Sequence, residues 1–434
     1  MVGRSLLDVG RPSDSPAALA PDGPRPTGAF RRAVAGVRDQ VRTGERVVLA
    51  CEDAYAFAAG LLGAVLGGAR VIIPPNLLPA TLACVGADAV LDDARCLREG
   101  AAPASGPLPD TDVEFWTSGS TGTPKAVLRR FHQLAREAEL LAALFGEAAG
   151  DAPVAATVPP HHIYGCLFRI LWPLATGRPF LTAACGDPAS FREAMALRPI
   201  LVASPAHLAR LPKLVALDGL DLPAVFSSGG VLEREDALTW RRASRTGVFE
   251  VYGSTESGGI AWRNPGPDPA SSRWAPFPDT QLGVEADGAL HVRSSRVDPG
   301  GLRMEDAVRL DPDGTFELLG RLDRTVKIEE KRVSLPQVEA ALKACPGVAG
   351  AAVVLLEGRR RQLGAAVVLR GALPPDAPAR RALGEDLRAR LAQTLEAPAL
   401  PRKWRFVEEL PLDARGKLRA EALAALFEPT GPTP

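Results

Sequence analysis

The stretch VEFWTSGSTGTPK, residues 113–125, decides how the rest of the chain is read. A strand-like run, VEFW, leads into a segment made almost wholly of Gly, Ser, Thr and Pro that closes on a lysine. Gly119 and Gly122 let backbone approach a ligand closely. The hydroxyls of Thr117, Ser118, Ser120 and Thr121, with the Lys125 ammonium, offer donors to phosphate oxygens. That combination reads as a triphosphate cradle. It is not a Walker A loop, GxxxxGK[ST], because Pro124 precedes the lysine and Ala126 follows it, where the last hydroxyl of that loop would hold magnesium. Taken alone, the stretch also fits a polar surface turn.

Upstream, the apolar runs VVLA, RVIIP and DAVLD alternate with a helical stretch over residues 55–66, the pattern of βα units around a mostly parallel sheet. Downstream, Leu134, Leu141, Leu144 and Phe145 recur at helical spacing across residues 133–145. Further αβ alternation runs to about Tyr252. Residues 274–322 then read as short strands and turns, with DG pairs at 287 and 313 suited to hairpins. After Arg321 the pattern is a helix (335–343), two apolar strands, a helix (380–395) and a last strand (403–407). The expected fold is α/β: a large N-terminal domain of βα sheets with a small β-rich subdomain, then an α+β C-terminal domain. The expected boundaries are an irregular leading segment over 1–43 with a short helix near 29–41, a domain over 44–322 whose β-rich part is 274–322, and a C-terminal domain over 323–434.

Composition narrows the function classes. A chain of 434 residues exceeds what one hydrophobic core usually serves, and 46% hydrophobic with 24% charged residues suits a folded, soluble protein. Lys plus Arg and Asp plus Glu are balanced at 51 each, so no overall field favours nucleic acid or an anionic membrane. No apolar run reaches the roughly 18 residues of a membrane span or forms an N-terminal signal, so a cytoplasmic location is expected. The six cysteines form no CxxC pair and are expected to be buried thiols rather than disulfides or metal ligands.

Thr117 to Lys125 resembles the signature loop of the adenylate-forming superfamily of acyl-CoA synthetases, nonribosomal-peptide adenylation domains and firefly-type luciferases. Four more segments match in that family's order. PPHHIYG (159–165) resembles its PxxHxxG element and VYGSTES (251–257) its YGxTE element. RMEDAVRLDPDGTFELLGR (303–321) resembles its ribose segment, and GRLDRTVKIEEKRVSLPQVEAAL with PLDARGKLR its hinge and C-terminal lysine segments.

The resemblance implies ATP and Mg²⁺ as cofactors and assigns roles. Thr117, Ser118, Gly119, Ser120, Thr121, Gly122 and Lys125 would cradle the β- and γ-phosphates, Thr255 would touch the α-phosphate, and Glu256 would hold the metal. Tyr252, Gly253, Ser228, Gly229 and Gly230 would line the adenine and acyl group, while Asp306 and Arg321 would contact the ribose. His162, Tyr164 and Gly165 would border the acid pocket, although His161 beside His162 leaves that assignment open. Asp323 would be the hinge of a mobile C-terminal domain, and Lys417 would bridge the substrate carboxylate and the nucleotide.

The implied activity is formation of an acyl-AMP from a hydrophobic or aromatic acid, followed by transfer to the thiol of an acyl carrier protein or CoA. A luciferase-like oxygenase would share these residues. A non-catalytic nucleotide-binding module is opposed by the retention of Lys125, Glu256, Asp306 and Lys417. Two departures stand out: Glu305 replaces a usual Gly in the ribose segment, and Glu329-Glu330-Lys331 occupies a site where relatives usually carry Gly on the pantetheine path. Two carboxylates there are expected to repel free CoA and favour a carrier protein.

Overall fold

The computed structural model describes residues 6–7, 11–118, 124–328, 331–357, 361–412 and 418–428, with only the backbone of Ser118, Pro124, Pro269, Asp323, Thr325, Lys327, Lys331 and Arg332. Gly119, Ser120, Thr121, Gly122, Glu329, Glu330 and Lys417 therefore lie outside the described residues. Packing divides the chain into two compact units, Met1–Gln281 with Arg293–Leu302, and Leu282–Val292 with Arg303–Pro434.

The first unit is built on two sheets. Strands Ala89–Asp92, Arg46–Ala50, Arg70–Ile73 and Asp112–Ser118 pair in parallel in that order, and Pro124–Arg130 closes the five-stranded sheet antiparallel to Asp112–Ser118. The apolar runs form these strands because a parallel sheet covered on both faces needs near-continuous hydrophobic sequence. Helix Ala54–Leu66 is almost wholly buried, and Asp53 caps it by accepting from the Tyr55 and Ala56 N–H groups, a cap worth about 1 kcal/mol.

The second sheet has nine strands. Its centre is parallel: Phe180–Leu181, Val154–Ala156, Ile200–Ala203, Val225–Ser227 and Val248–Ser254. Gly258–Arg263 returns antiparallel on one side. On the other edge sit Pro16–Ala20 and Gly23–Pro26, followed by helix Thr27–Arg38. The leading segment is thus more regular than the sequence suggests. Its prolines are tolerated because Gly23–Pro26 is the edge strand, where fewer backbone donors are needed, and Pro16 lies outside the Ala18–Leu19 pairing with Phe180–Leu181.

In the second unit a four-stranded sheet contains Leu302–Leu310 and Phe316–Arg321, paired antiparallel. The tightness of its packing is clear at Gly320, where an added Cβ would lie 3.0 Å from the Pro336 Cβ at the start of helix Leu335–Lys343. This grouping differs from the sequence expectation, which divides the chain at 322/323. A three-stranded sheet of Val348–Leu356, Gln362–Leu369 and Lys403–Phe406 buries Val353, Leu363 and Val367 with Leu342 and Leu387 of the adjoining helices. Five cysteines are buried, but Cys84 is exposed at the end of a short helix that buries nothing. Among the described residues, no helix is long and apolar enough to cross a membrane.

Candidate active site

Ligands of open parallel sheets collect beyond the carboxyl ends of the strands, and three of the motif loops leave the nine-stranded sheet there. Strand Val154–Ala156 leads to the PPHHIYG loop, Val225–Ser227 to Ser228-Gly229-Gly230, and Val248–Ser254 to Thr255 and Glu256. The last two strands are neighbours, and the Ser228 hydroxyl donates to the Val251 carbonyl at 2.8 Å. Gly229 has φ +84° with open space around it, and both glycines are exposed.

The Thr255–Glu256 turn is rigidly made. Ser254 and Ser257 exchange backbone-to-hydroxyl hydrogen bonds at 2.9 and 3.1 Å. A Cβ at Gly253 would stand 1.9 Å from the Gly258 carbonyl oxygen, so no side chain fits. Glu250 and Arg263 are cross-strand partners joined in a two-pronged ion pair at 2.8 and 3.0 Å, which pins the two strands that the turn connects. Thr255 is half-buried and Glu256 exposed. Tyr252 packs its ring against Trp274, centroids 5.5 Å apart.

The phosphate-loop strands meet in register: Thr117 opposes Lys125, and its hydroxyl reaches the Lys125 carbonyl at 3.4 Å. Lys125 is exposed. Arg129, further along the same strand, donates to the Thr255 carbonyl at 2.7 Å and so ties the two loops together. Arg129 escaped the sequence reading, although a charge at an inward position of an alternating strand was a usable signal.

In the second unit, Asp306 and Arg321 are direct cross-strand partners, their charged groups 3.9 Å apart. Asp323 lies in the single 3₁₀ turn Leu322–Arg324 that follows.

The structure separates the two adjacent histidines. His161 is buried edge-on against Phe57 at 5.3 Å, whereas His162 is half-buried at the start of the short helix Ile163–Gly165. Tyr164, on that helix, donates to the Ala203 carbonyl at 3.2 Å and leans on Phe168. Burial, then the nearby His162 and Arg169, push the His161 imidazole down to about 4. The unfolded imidazole titrates near 6.5, so below that pH the unfolded chain binds the extra proton. Stability is intact above about 6.5 and falls toward pH 4, by about 2 kcal/mol between pH 7 and 5. Denaturant unfolding at the two pH values should show His161→Gln losing less stability than wild type over this interval. An identical pH dependence would contradict this account.

Glu256 offers one exposed hard-oxygen donor, and among the described residues no group of three His, Cys, Asp or Glu could cage a metal. One carboxylate, with substrate phosphates and water completing the shell, suits Mg²⁺; the residues fit that ion.

Comparisons with known proteins bear on the family and the fold. Residues 93–293 match the model of the AMP-binding enzyme family, and 337–417 match that of the AMP-binding enzyme C-terminal domain. The chain is 34% identical over 311 residues to a 4-coumarate–CoA ligase of Rhodobacter capsulatus, covering 70% of this chain and 74% of that one. Among solved structures, ATP-bound MatB from Rhodopseudomonas palustris superposes with a TM-score of 0.78 at 19% identity, covering 98% of this chain and 99% of that one. A benzoate CoA ligase from Burkholderia xenovorans does so at 0.77 and 21%, covering 96% and 98%.

Proposed function

Since the chain belongs to the AMP-binding enzyme family and is an AMP-forming acid–thiol ligase, we propose that it couples an aryl carboxylic acid to a CoA-type thiol through an acyl-adenylate. The observation that carries this reading is the hydrogen bond from Arg129 to Thr255. It joins the phosphate-loop strand to a turn beyond the carboxyl ends of the parallel strands, where a nucleotide and an acid can be held together.

In the first half-reaction a carboxylate oxygen attacks the α-phosphorus and the bond to pyrophosphate breaks, giving a mixed anhydride. In the second, the thiol sulfur attacks the acyl carbon, AMP departs, and the thiol proton is released. Thr117, Ser118, Ser120, Thr121 and Lys125 donate to the β- and γ-phosphates, with Gly119 and Gly122 allowing close approach. Thr255 donates to the α-phosphate, and Glu256 holds Mg²⁺. When bound, the ion neutralises charge on the phosphates and the departing pyrophosphate. Asp306 accepts from the ribose hydroxyls beside Arg321. Tyr252, Gly253, Ser228, Gly229 and Gly230 form the nucleotide and acyl walls. Lys417 bridges the reacting carboxylate and the nucleotide, and Asp323 is the hinge between the two half-reactions.

An aromatic acid is supported by the names of the similar proteins and by the wall behind His162, Tyr164 and Gly165. There half-buried Tyr164 leans on Phe168, which leans on Phe226, at ring distances of 5.0 and 5.2 Å; the last two are buried in the core, so Tyr164 is the ring against which an aromatic acid would pack edge-on or offset.

The acceptor admits a second reading, favoured by one observation: Glu329 and Glu330 stand where the resemblance places the pantetheine path. A carrier protein's single phosphate would suffer less repulsion there than the several phosphates of CoA. The test compares kcat/KM for CoA and for a holo carrier protein with the best acid, in wild type and Glu330→Gly. The CoA reading predicts that wild type uses CoA at least as well as the carrier. A wild type that uses CoA poorly, and gains on it through Glu330→Gly, would transfer the conclusion to the carrier.

A further inference from the structure

The Thr255–Glu256 turn rests on a buried cluster of charges. Arg129 reaches the Thr255 carbonyl at 2.7 Å, the Arg296 carbonyl at 3.2 Å and the Gln133 side chain at 3.1 Å. Glu137 accepts from the Gly259 N–H at 2.6 Å, and its other carboxylate oxygen faces Arg296 at 3.5 Å. Arg296 donates to the Gly259 carbonyl at 2.5 Å and makes a two-pronged pair with Asp279 at 2.9 and 3.1 Å. The side chains of Arg296 and Glu137 are 0% and 1% exposed. The turn is shaped to this cluster: Gly258 has φ +67°, and a Cβ there would lie 2.0 Å from the Glu137 carboxylate.

We propose that Arg129, Glu137 and Arg296 are positioning residues that fix the Thr255–Glu256 turn against the strand carrying Lys125, setting the magnesium carboxylate and the phosphate lysine in one register. This rests on the reading above in which Glu256 holds the metal and Lys125 the phosphates.

The contacts are placed for that task. Arg129 grips the turn at Thr255, and Glu137 and Arg296 grip it at Gly259, so only Glu256, Ser257 and Gly258 lie between the two clamps. Ser257 is buried and bonded to Ser254, and Gly258 has no side chain, which leaves Glu256 as the exposed group. Arg129 is four residues from Lys125 along one strand, and residues at that spacing lie on the same face, about 13 Å apart. Burying two arginines and a carboxylate, with Asp279 half-buried beside them, is a weak route to stability, since apolar groups of similar volume often serve as well. The cluster makes sense as a device for geometry. Glu137 itself interrupts the apolar face of helix Phe131–Ala149, between Leu134 and Leu141.

The test uses the full-length protein as Arg129→Met, Arg129→Lys, Glu137→Gln and Glu256→Gln, each first checked for an intact thermal transition. Mg·ATP affinity is measured by calorimetry, the Mg²⁺ dependence by pyrophosphate exchange, and the second half-reaction with supplied acyl-AMP. Arg129→Met should weaken Mg·ATP binding and raise the Mg²⁺ requirement about tenfold or more, with thioester formation from acyl-AMP nearly unchanged. Arg129→Lys should recover part of the loss, and Glu137→Gln, which keeps an acceptor for Gly259, should show a smaller shift in the same direction. If Arg129→Met fails to fold, Arg129→Lys and Glu137→Gln carry the measurement. Equal losses in both half-reactions, or an unchanged Mg²⁺ requirement where Glu256→Gln raises it, would overturn the inference and leave the site reading standing. If Glu256→Gln itself leaves the Mg²⁺ requirement unchanged, the site reading fails and the inference falls with it.

Discussion

Lys417→Ala should slow acyl-adenylate formation by about 10²-fold or more while leaving thioester formation from supplied acyl-AMP largely intact. The attacking carboxylate and the α-phosphate both carry negative charge as they approach. In the proposed role, a compact ammonium between them would relieve that repulsion only in the first half-reaction. The lysine closes the stretch that matches the C-terminal family model. Separate assays of the two half-reactions check the prediction. Equal losses in both would remove Lys417 from this role.

Glu256→Gln should lower pyrophosphate exchange by a comparable factor, about 10² at low millimolar Mg²⁺, and raise the Mg²⁺ concentration needed for half-maximal rate. The substitution keeps the size of the side chain and removes one anionic ligand. The turn's internal bonds run through Ser254 and Ser257 and the clamps through Thr255 and Gly259, so its shape should survive. A titration of rate against Mg²⁺ decides the matter; a variant with wild-type Mg²⁺ dependence would exclude Glu256 as the metal ligand.

Much of the fold is legible in the sequence because buried parallel strands leave a simple trace. The runs at 46–50, 70–73 and 89–92 are apolar apart from Arg46, Arg70 and Asp92 at their ends, and form strands as read. The helix expected over 133–145 extends to Phe131–Ala149; its ends bury Phe131 and Ala149, but His132, Gly146 and Glu147 interrupt the apolar period there. The edge hairpin over 16–26 is hidden because its residues are mostly Ala, Gly or Pro, with Leu19 its one large apolar side chain, and its pairing partner, Phe180–Leu181, is distant in sequence. The return strand Gly258–Arg263 is masked by its opening glycines, which read as loop.

The site divides in the same way. Motif loops are visible because the chemistry of phosphate and metal binding restricts them to few residue types. That His161 belongs to the core and that Asp306 faces Arg321 depend on packing and strand register, which spacing does not encode. Glu137 was detectable in principle as a carboxylate on an apolar helical face, but its partners Arg296 and Gly259 lie more than a hundred residues away.

The central claim is that this chain transfers adenylate, and product analysis tests it most directly. With Mg²⁺, ATP, a panel of aryl acids and CoA or a holo carrier protein, each acyl group joined should yield one AMP and one pyrophosphate. ADP and phosphate as the stoichiometric products would contradict the account.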